Sequence, residues 1–283
     1  MESNPDLFFI KTEKDPRFGQ VDVYKSKSTG QLLWVRTNTG DQTMDLTAYK
    51  LHIKNNQAYM SLFNTIDVRN KVAKHLKTFI CSQDQMVTQV YLERIEKTLL
   101  DDLLQRAKSQ KRFGESEIYT VMDKVLQMEL FMQFYKRLNG DLRLSSIFVT
   151  EDGYLKFYDP VLLEQYSNGY YSALFGEEQA LVSPEEMLDV RRQSNKSLSV
   201  EDYTEAWSLG IILLCLCNLK TEESIYDWKT KNIRFEAIEV MLGFTRRGYS
   251  PELSNLITAM LERDTQRRIS ISSLISHRQQ YLN

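Results

Sequence analysis

The chain has 283 residues, 42% of them hydrophobic and 26% charged, with a net charge of −2; it is long enough to bury a substantial core and has ordinary globular composition. A balance so close to neutral gives no global attraction for nucleic acid or for an anionic membrane surface. Three cysteines, Cys81, Cys215 and Cys217, form an odd count without metal-ligand spacing, so buried free thiols in a reducing compartment are expected.

From the N-terminus, "MESNPDLFF" has neither a basic stretch nor an apolar core, so no secretory signal is expected. The first third alternates as strands do: "LFFIKTE", "VDVYKSK" and "QLLWVRT", with turns at "DPRFG" and "STG". Gly30 supplies the positive φ that a tight hairpin at "KSTGQ" requires. Residues 44–66 read as a helix, and "LKTFICS" and "MVTQVYL" as a second strand pair. From about residue 96 the period becomes helical, in "KTLLDDLLQRA" and in "SEIYTVMDKVLQMELFMQFYKRL", where Ser116 is the expected cap. "SSIFVT" and "YLKFY" read as short strands joined by the turn "EDG". An irregular stretch follows over 161–182, then a very apolar helix over 203–219 and short helices to the end. The run Ala206 to Cys217 falls well short of the roughly 20 residues that span a bilayer. The expected architecture is α+β: an antiparallel β-rich lobe over 1–94 and a larger helical lobe over 95–283, in a soluble intracellular protein.

This order of elements resembles the eukaryotic protein kinase fold, and motifs carry the resemblance along nearly the whole chain. "NGDLRLSSIFV" is similar to the catalytic loop H-R-D-L-K-x-x-N, "LKFYDPV" to the strand ending in D-F-G, and "VSPEE" to A-P-E. "YTEAWSLGIILL" resembles the buried helix with its D-x-W-S-x-G signature, and "MLERDTQRRISISSLISH" the closing segment around a fixed arginine. "FGQVDVYKSKSTGQLLWVR" is similar to the end of the Gly-rich loop through V-A-I-K. Six motifs in the right order imply a two-lobed kinase-like fold.

The positions that carry the chemistry of phosphoryl transfer depart from that pattern. Of the Gly-rich loop only Gly19 and Val21 remain, with Lys14 and Pro16 at the other glycine positions. Arg36 stands where the family has lysine, and its planar fork is no substitute for a compact ammonium. Trp34 stands where the family has a small alanine against the adenine ring, so an indole filling that place is expected. Between Asp45 and Asp67 there is no acidic residue, so the helix there cannot supply the glutamate of the lysine–glutamate pair. Asp141 keeps the position of the catalytic base and Arg143 that of the loop lysine, but Asn139 and Gly140 replace His-Arg. Asp159 keeps the first metal position, Ser146 replaces the metal-binding asparagine, and "DPV" replaces D-F-G. A lone carboxylate at each of these places also serves structure, Asp141 by accepting backbone N–H bonds in its loop and Asp159 by capping a turn, and that vestigial use is the expectation. Architectural positions fare better: Glu185 and Arg268 match the pair that ties the activation segment to the last helices, and Trp207 and Gly210 match the central helix, with Glu205 for its aspartate.

The resemblance therefore implies a catalytically impaired member, a pseudokinase, that binds other proteins as a scaffold, an allosteric partner or a subunit of a larger assembly. It implies no cofactor, no membrane insertion and a cytoplasmic location, a large cytoskeletal assembly being one setting that fits. No accessory domain is expected, which leaves the kinase fold itself to carry the binding surfaces; the tyrosine-rich 161–182 segment is one candidate. Two alternatives stand beside it: an unorthodox active kinase of Ser/Thr type using Asp141 and Asp159 with ATP and Mg²⁺, and a nucleotide-binding domain without phosphotransfer.

Overall fold

The alternating segments at the start of the chain form a five-stranded antiparallel sheet, and the helical periods after residue 96 form the helices they predict. The structure, a computed structural model, describes residues 6–15, 19–38, 75–80, 88–95, 97–134, 142–150, 153, 155–157, 181–192 and 202–282. Asp141, Asp159, Cys81, the expected helix over 44–66 and residues 161–180 lie outside them. The chain divides into two compact units, residues 1–96 with 150–170 and residues 97–149 with 171–283.

In the first unit β1 (Leu7–Asp15), β2 (Gly19–Ser26), β3 (Leu32–Asn38), β4 (His75–Ile80) and β5 (Thr88–Glu93) lie in the order β1-β2-β3-β5-β4. Gly30 takes φ +72 in the β2–β3 turn, a conformation a Cβ would strain. The Asp6 carboxylate fixes that turn, accepting from Ser26 Oγ at 2.8 Å and from the Ser28 amide at 2.9 Å. Strand β3 is central, and its neighbours Leu33, Trp34 and Val35 are all buried. Successive side chains point to opposite faces, so both faces of the sheet are covered there. Val23 of β2 and Leu92 of β5 flank Trp34 in register. Strand β7 (Leu155–Lys156) falls within "YLKFY", preceded by Gly153 at φ +81, and β6 (Phe148–Val149), which belongs to the second unit, falls within "SSIFVT".

In the second unit α1 (Leu99–Ser109) starts from a capping box: the Asp101 amide donates to Thr98 Oγ1 at 3.2 Å, and the Thr98 amide donates back to Asp101 at 2.8 Å. Helix α2 (Glu115–Phe134) begins one residue earlier than Ser116. Ser116 is therefore inside the first turn and not its cap. Glu117 reaches back to accept the Gly114 amide at 2.7 Å, and the Gly114 carbonyl receives the first helical bonds. After α3 (Pro184–Arg192), α4 (Asp202–Asn218) is buried at every position from Thr204 to Cys217. A helix apolar all round must be sheathed by others, here by α2, α5 (Phe235–Gly248), α6 (Pro251–Met260) and α7 (Ile271–Ser276). Gly210 permits the closest approach: a Cβ there would lie 2.8 Å from Met260 Cβ and 2.9 Å from Leu261 Cδ2. A short hairpin, β8 (Tyr226–Asp227) with β9 (Asn232–Ile233), and α8 (Arg278–Leu282) complete the unit. Among the described residues no helix is long and apolar enough to cross a membrane.

Candidate functional site

Lys11 and Glu13 lie two residues apart on β1 and share one face of the sheet. That face also receives Trp34 from β3 and Arg94 from just beyond β5. The Trp34 indole is 6% exposed, and its Nε1–H donates to Glu13 Oε1 at 2.6 Å. Arg94 closes the cluster: Nε and Nη2 donate to the two Glu13 oxygens at 3.2 and 3.3 Å, and the guanidinium carbon is 5.9 Å from the indole ring. Lys11 Nζ stands 2.8 Å from Glu13 Oε2. Burial alone would raise the Glu13 carboxyl, but hydrogen bonds from Lys11, Trp34 and Arg94 outweigh it and bring it down to about 2. The charge of Glu13 is thus fully formed at neutral pH and satisfied within the protein.

Trp34 is legible from its motif position, whereas Glu13 and Arg94 belong to no motif. The alternation of β1 puts Glu13 on the face opposite the exposed Thr12, but nothing in the sequence pairs it with Trp34 two strands away. Of the other residues named for this region, Val21 is 1% exposed in β2 and Gly19 begins that strand opposite Asp15. Arg36 sits opposite Val90 in β3, its side chain lying outside the described positions.

In the second unit, residues 142–147 pack on the start of α1. The Leu99 and Leu100 amides, unpaired by helix geometry, donate to the carbonyls of Ile147 at 2.8 Å and Leu144 at 3.1 Å. Buried Leu142, Leu144 and Ile147 hold the segment down. Ser146 closes a small ring with Arg143: its hydroxyl donates to the Arg143 carbonyl at 3.0 Å and accepts the Arg143 amide at 3.1 Å. Arg143 is only 3% exposed. Its charge acts on Glu222, whose carboxyl is raised first by burial and lowered in part by Arg143.

The most completely built polar site of this unit joins α3 to the turn before α7. Glu185 and Arg268 form a bidentate pair, Nη1 to Oε1 at 2.6 Å and Nη2 to Oε2 at 3.0 Å, the geometry in which a guanidinium fork matches a carboxylate. Arg268 also donates to the carbonyls of Glu262, Tyr203 and Arg263, and its guanidinium lies 5.1 Å from the Trp207 ring. Trp207 Nε1 donates to Tyr226 Oη at 3.0 Å, Tyr226 Oη donates to the Val182 carbonyl at 2.8 Å, and Ser208 Oγ donates to the Leu181 carbonyl at 2.8 Å. Glu205 is buried one helical turn before Leu209 and is 3% exposed. Residues 181–183 are therefore tethered by α4 and β8 from below and by Glu186 from their own helix, Ser183 donating to it from N and Oγ at 2.8 and 3.0 Å. Burial pushes the Glu186 carboxyl up to about 7, the Ser183 bonds only partly opposing it.

Comparison with known proteins meets this geometry from the other side. The family described as "Protein kinase domain" matches residues 17–279. The chain is 22% identical over 276 residues to a protein of Dictyostelium discoideum named probable serine/threonine-protein kinase nek3, covering 94% of this chain and 22% of that protein. It is 28% identical over 179 residues to the serine/threonine-protein kinase Nek3 of Mus musculus, covering 62% of this chain and 33% of that protein. The matched region is thus at most a third of either relative's length.

Proposed function

The chain belongs to the protein kinase domain family, and on that premise we propose that it is a pseudokinase: a kinase-fold protein that binds other proteins and transfers no phosphate. One observation carries the reading, the buried Trp34 indole held by Glu13 and Arg94. Strand β3 presents in the family an alanine against the adenine ring, and an indole is a two-ring system of nearly purine size. The cluster does not fit an adenine: the indole takes its volume, and the polar edge is already engaged by an ion-paired carboxylate. The burial of Arg143 and the use of the Ser146 hydroxyl within its own turn support the same reading. The Ser146 hydroxyl serves the backbone around it, and the Arg143 charge acts on Glu222.

A fold that keeps its architecture offers surfaces instead of a reaction. The Glu185–Arg268 anchor and the α4 packing hold the second unit rigid enough to present a fixed face to a protein partner, as a scaffold, an allosteric partner or an assembly subunit in the cytoplasm. The two relatives bear kinase names, and their activity comes to this chain only as the rival proposal, phosphotransfer through Asp141 and Asp159. Titrating the purified protein with ATP, with and without Mg²⁺, and following thermal stability separates the two. Pseudokinase behaviour gives no shift at millimolar nucleotide; saturable, Mg²⁺-dependent stabilisation, scaling as RT ln(1 + [L]/Kd), overturns it.

A further inference from the structure

The two most exposed large apolar side chains among the described residues are Val240, 58%, and Phe244, 55%. They stand one turn apart on α5, on the same face. The face continues into Arg247, whose guanidinium carbon lies 4.7 Å over the Phe244 ring. At the end of α5 the chain meets the α1–α2 loop: Tyr249 Oη donates to the Phe113 carbonyl at 2.9 Å and the Ser250 amide donates to Glu115 at 2.9 Å. That junction brings Arg112 alongside, its Nη1 within 3.2 Å of where a Cβ on Gly248 would be. Lys108, Lys111, Arg112, Arg246 and Arg247 are all exposed here. The acids of the junction are already engaged, Glu115 by Ser250 and Glu117 by Arg106. Stretches 106–117 and 246–252 hold six Lys or Arg against three Glu, in a chain whose net charge is −2, while the acids of α5 itself, Glu236 and Glu239, lie toward its N-terminal end, so the positive charge is confined to the C-terminal end of the face.

We propose that this face of α5 is a docking site for an acidic segment of a partner protein, an extended or helical peptide that seats an aromatic or aliphatic side chain beside Val240 and Phe244 and sets carboxylates against Arg112 and Arg247, at the C-terminal end of the helix. Charge complementarity selects this occupant. A second copy meeting the same face about a two-fold axis would oppose the arginines of each copy, and nucleic acid would gain nothing from the apolar centre. The site rests on the reading that this protein works through partners, but it does not depend on whether nucleotide binds.

The test is selection of a random peptide display library on the intact protein, with Phe244→Ala and Arg247→Glu as counter-targets. Both changes are on exposed side chains, and an unchanged melting temperature shows that the fold is intact. Enriched peptides pairing Asp or Glu with an aromatic or aliphatic residue, losing at least tenfold in affinity to each variant and weakening with salt, support the site. Enriched peptides that are neutral or basic, or that bind both variants as well as the native chain, overturn it. So do Phe244-dependent dimerisation in sedimentation and binding confined to phosphatidylserine-containing vesicles, which assign the face to a second copy or to a membrane. Nucleotide response of the native chain is measured in parallel, so that failure of the pseudokinase reading is seen separately.

Discussion

Replacing Trp34 by alanine separates a side chain that fills a ligand's place from one that is ordinary core. The indole is 6% exposed. A tryptophan buries about 150–250 Å², which at about 25 cal/mol per Å² corresponds to about 4–6 kcal/mol for the whole side chain; truncations of this kind cost about 3–5 kcal/mol. The lost hydrogen bond adds little, because Glu13 keeps Arg94 and Lys11 and its side chain is 22% exposed, so water replaces the indole N–H. A loss of about 4 kcal/mol lowers the melting temperature by about 8–16 °C at about 2–4 °C per kcal/mol. If the vacated volume is the adenine place, nucleotide at a hundred times its Kd restores about 2.7 kcal/mol, a rise of about 5–10 °C in the variant alone. Trp34→Phe, which keeps a ring in the space, is the control and gains nothing. The assay is thermal unfolding with adenosine, ATP and ATP with Mg²⁺. A Trp34→Ala protein that is destabilised as expected yet indifferent to millimolar nucleotide refutes the reasoning, for the indole is then core and the site is closed by something else.

Four further outcomes follow from the geometry. Glu13→Gln keeps an acceptor for the indole but loses the charge facing Arg94 and Lys11. The native carboxyl sits at about 2 against an ordinary 4.5, so its stabilisation is complete above pH 4.5 and disappears as pH falls toward 2; the variant is less stable by about 1–2 kcal/mol at pH 7 after solvent screening, and denaturant titrations show the gap closing in that acid window. Glu186 has the opposite sign: with its carboxyl raised to about 7 from 4.5, stability is full below pH 4.5 and declines as pH rises through 7. Glu186→Gln, which still accepts from Ser183, is therefore more stable than the native protein by about 1–3 kcal/mol at pH 8, and equal to it at pH 4. Arg268→Lys breaks the bidentate pair with Glu185 and leaves three carbonyls with one flexible ammonium, which chemical denaturation registers as a loss of about 2–4 kcal/mol. Gly210→Ala forces α4 from α6, since its methyl would meet Met260 Cβ at 2.8 Å; overpacking costs about 1–3 kcal/mol despite the better helix propensity of alanine, again read by denaturation.

The parts of this molecule legible in its sequence are those where one local rule decides. Strand alternation gave β1, β2 and β3 to within a few residues, and the unbroken apolar run of α4 could only be an enclosed helix. The Ser116 cap failed because two local rules competed. A serine before an apolar period is a good cap, but Gly114 followed three residues later by Glu117 gives a first turn closed by the carboxylate reaching back, and that arrangement starts the helix earlier. Glu13 and Arg94 were invisible for a different reason. They are 81 residues apart in the chain, neither belongs to a motif, and their pairing is created by sheet order, which no window of sequence contains. Trp34 could be named from its motif position; what holds it there could not.

A site that transfers a phosphoryl group needs positive charge pre-aimed at an empty space, since positioning and charge stabilisation supply nearly all of the catalysis. Three described arginines near the motif positions are instead turned onto the protein. Arg94 is bonded to Glu13 beside the indole, Arg143 is buried at 3% exposure with Glu222 within its field, and Arg268 is consumed by Glu185 and three carbonyls. Of these, only the Arg268 arrangement is one the architecture requires. The other two lie against acidic groups of the protein itself, Arg94 on Glu13 and Arg143 near Glu222. Freeing one of them is then not enough to recover chemistry: Trp34→Ala is expected to admit a nucleotide, but phosphotransfer by that variant stays at the level of buffer, because the catalytic-loop cation at Arg143 remains buried.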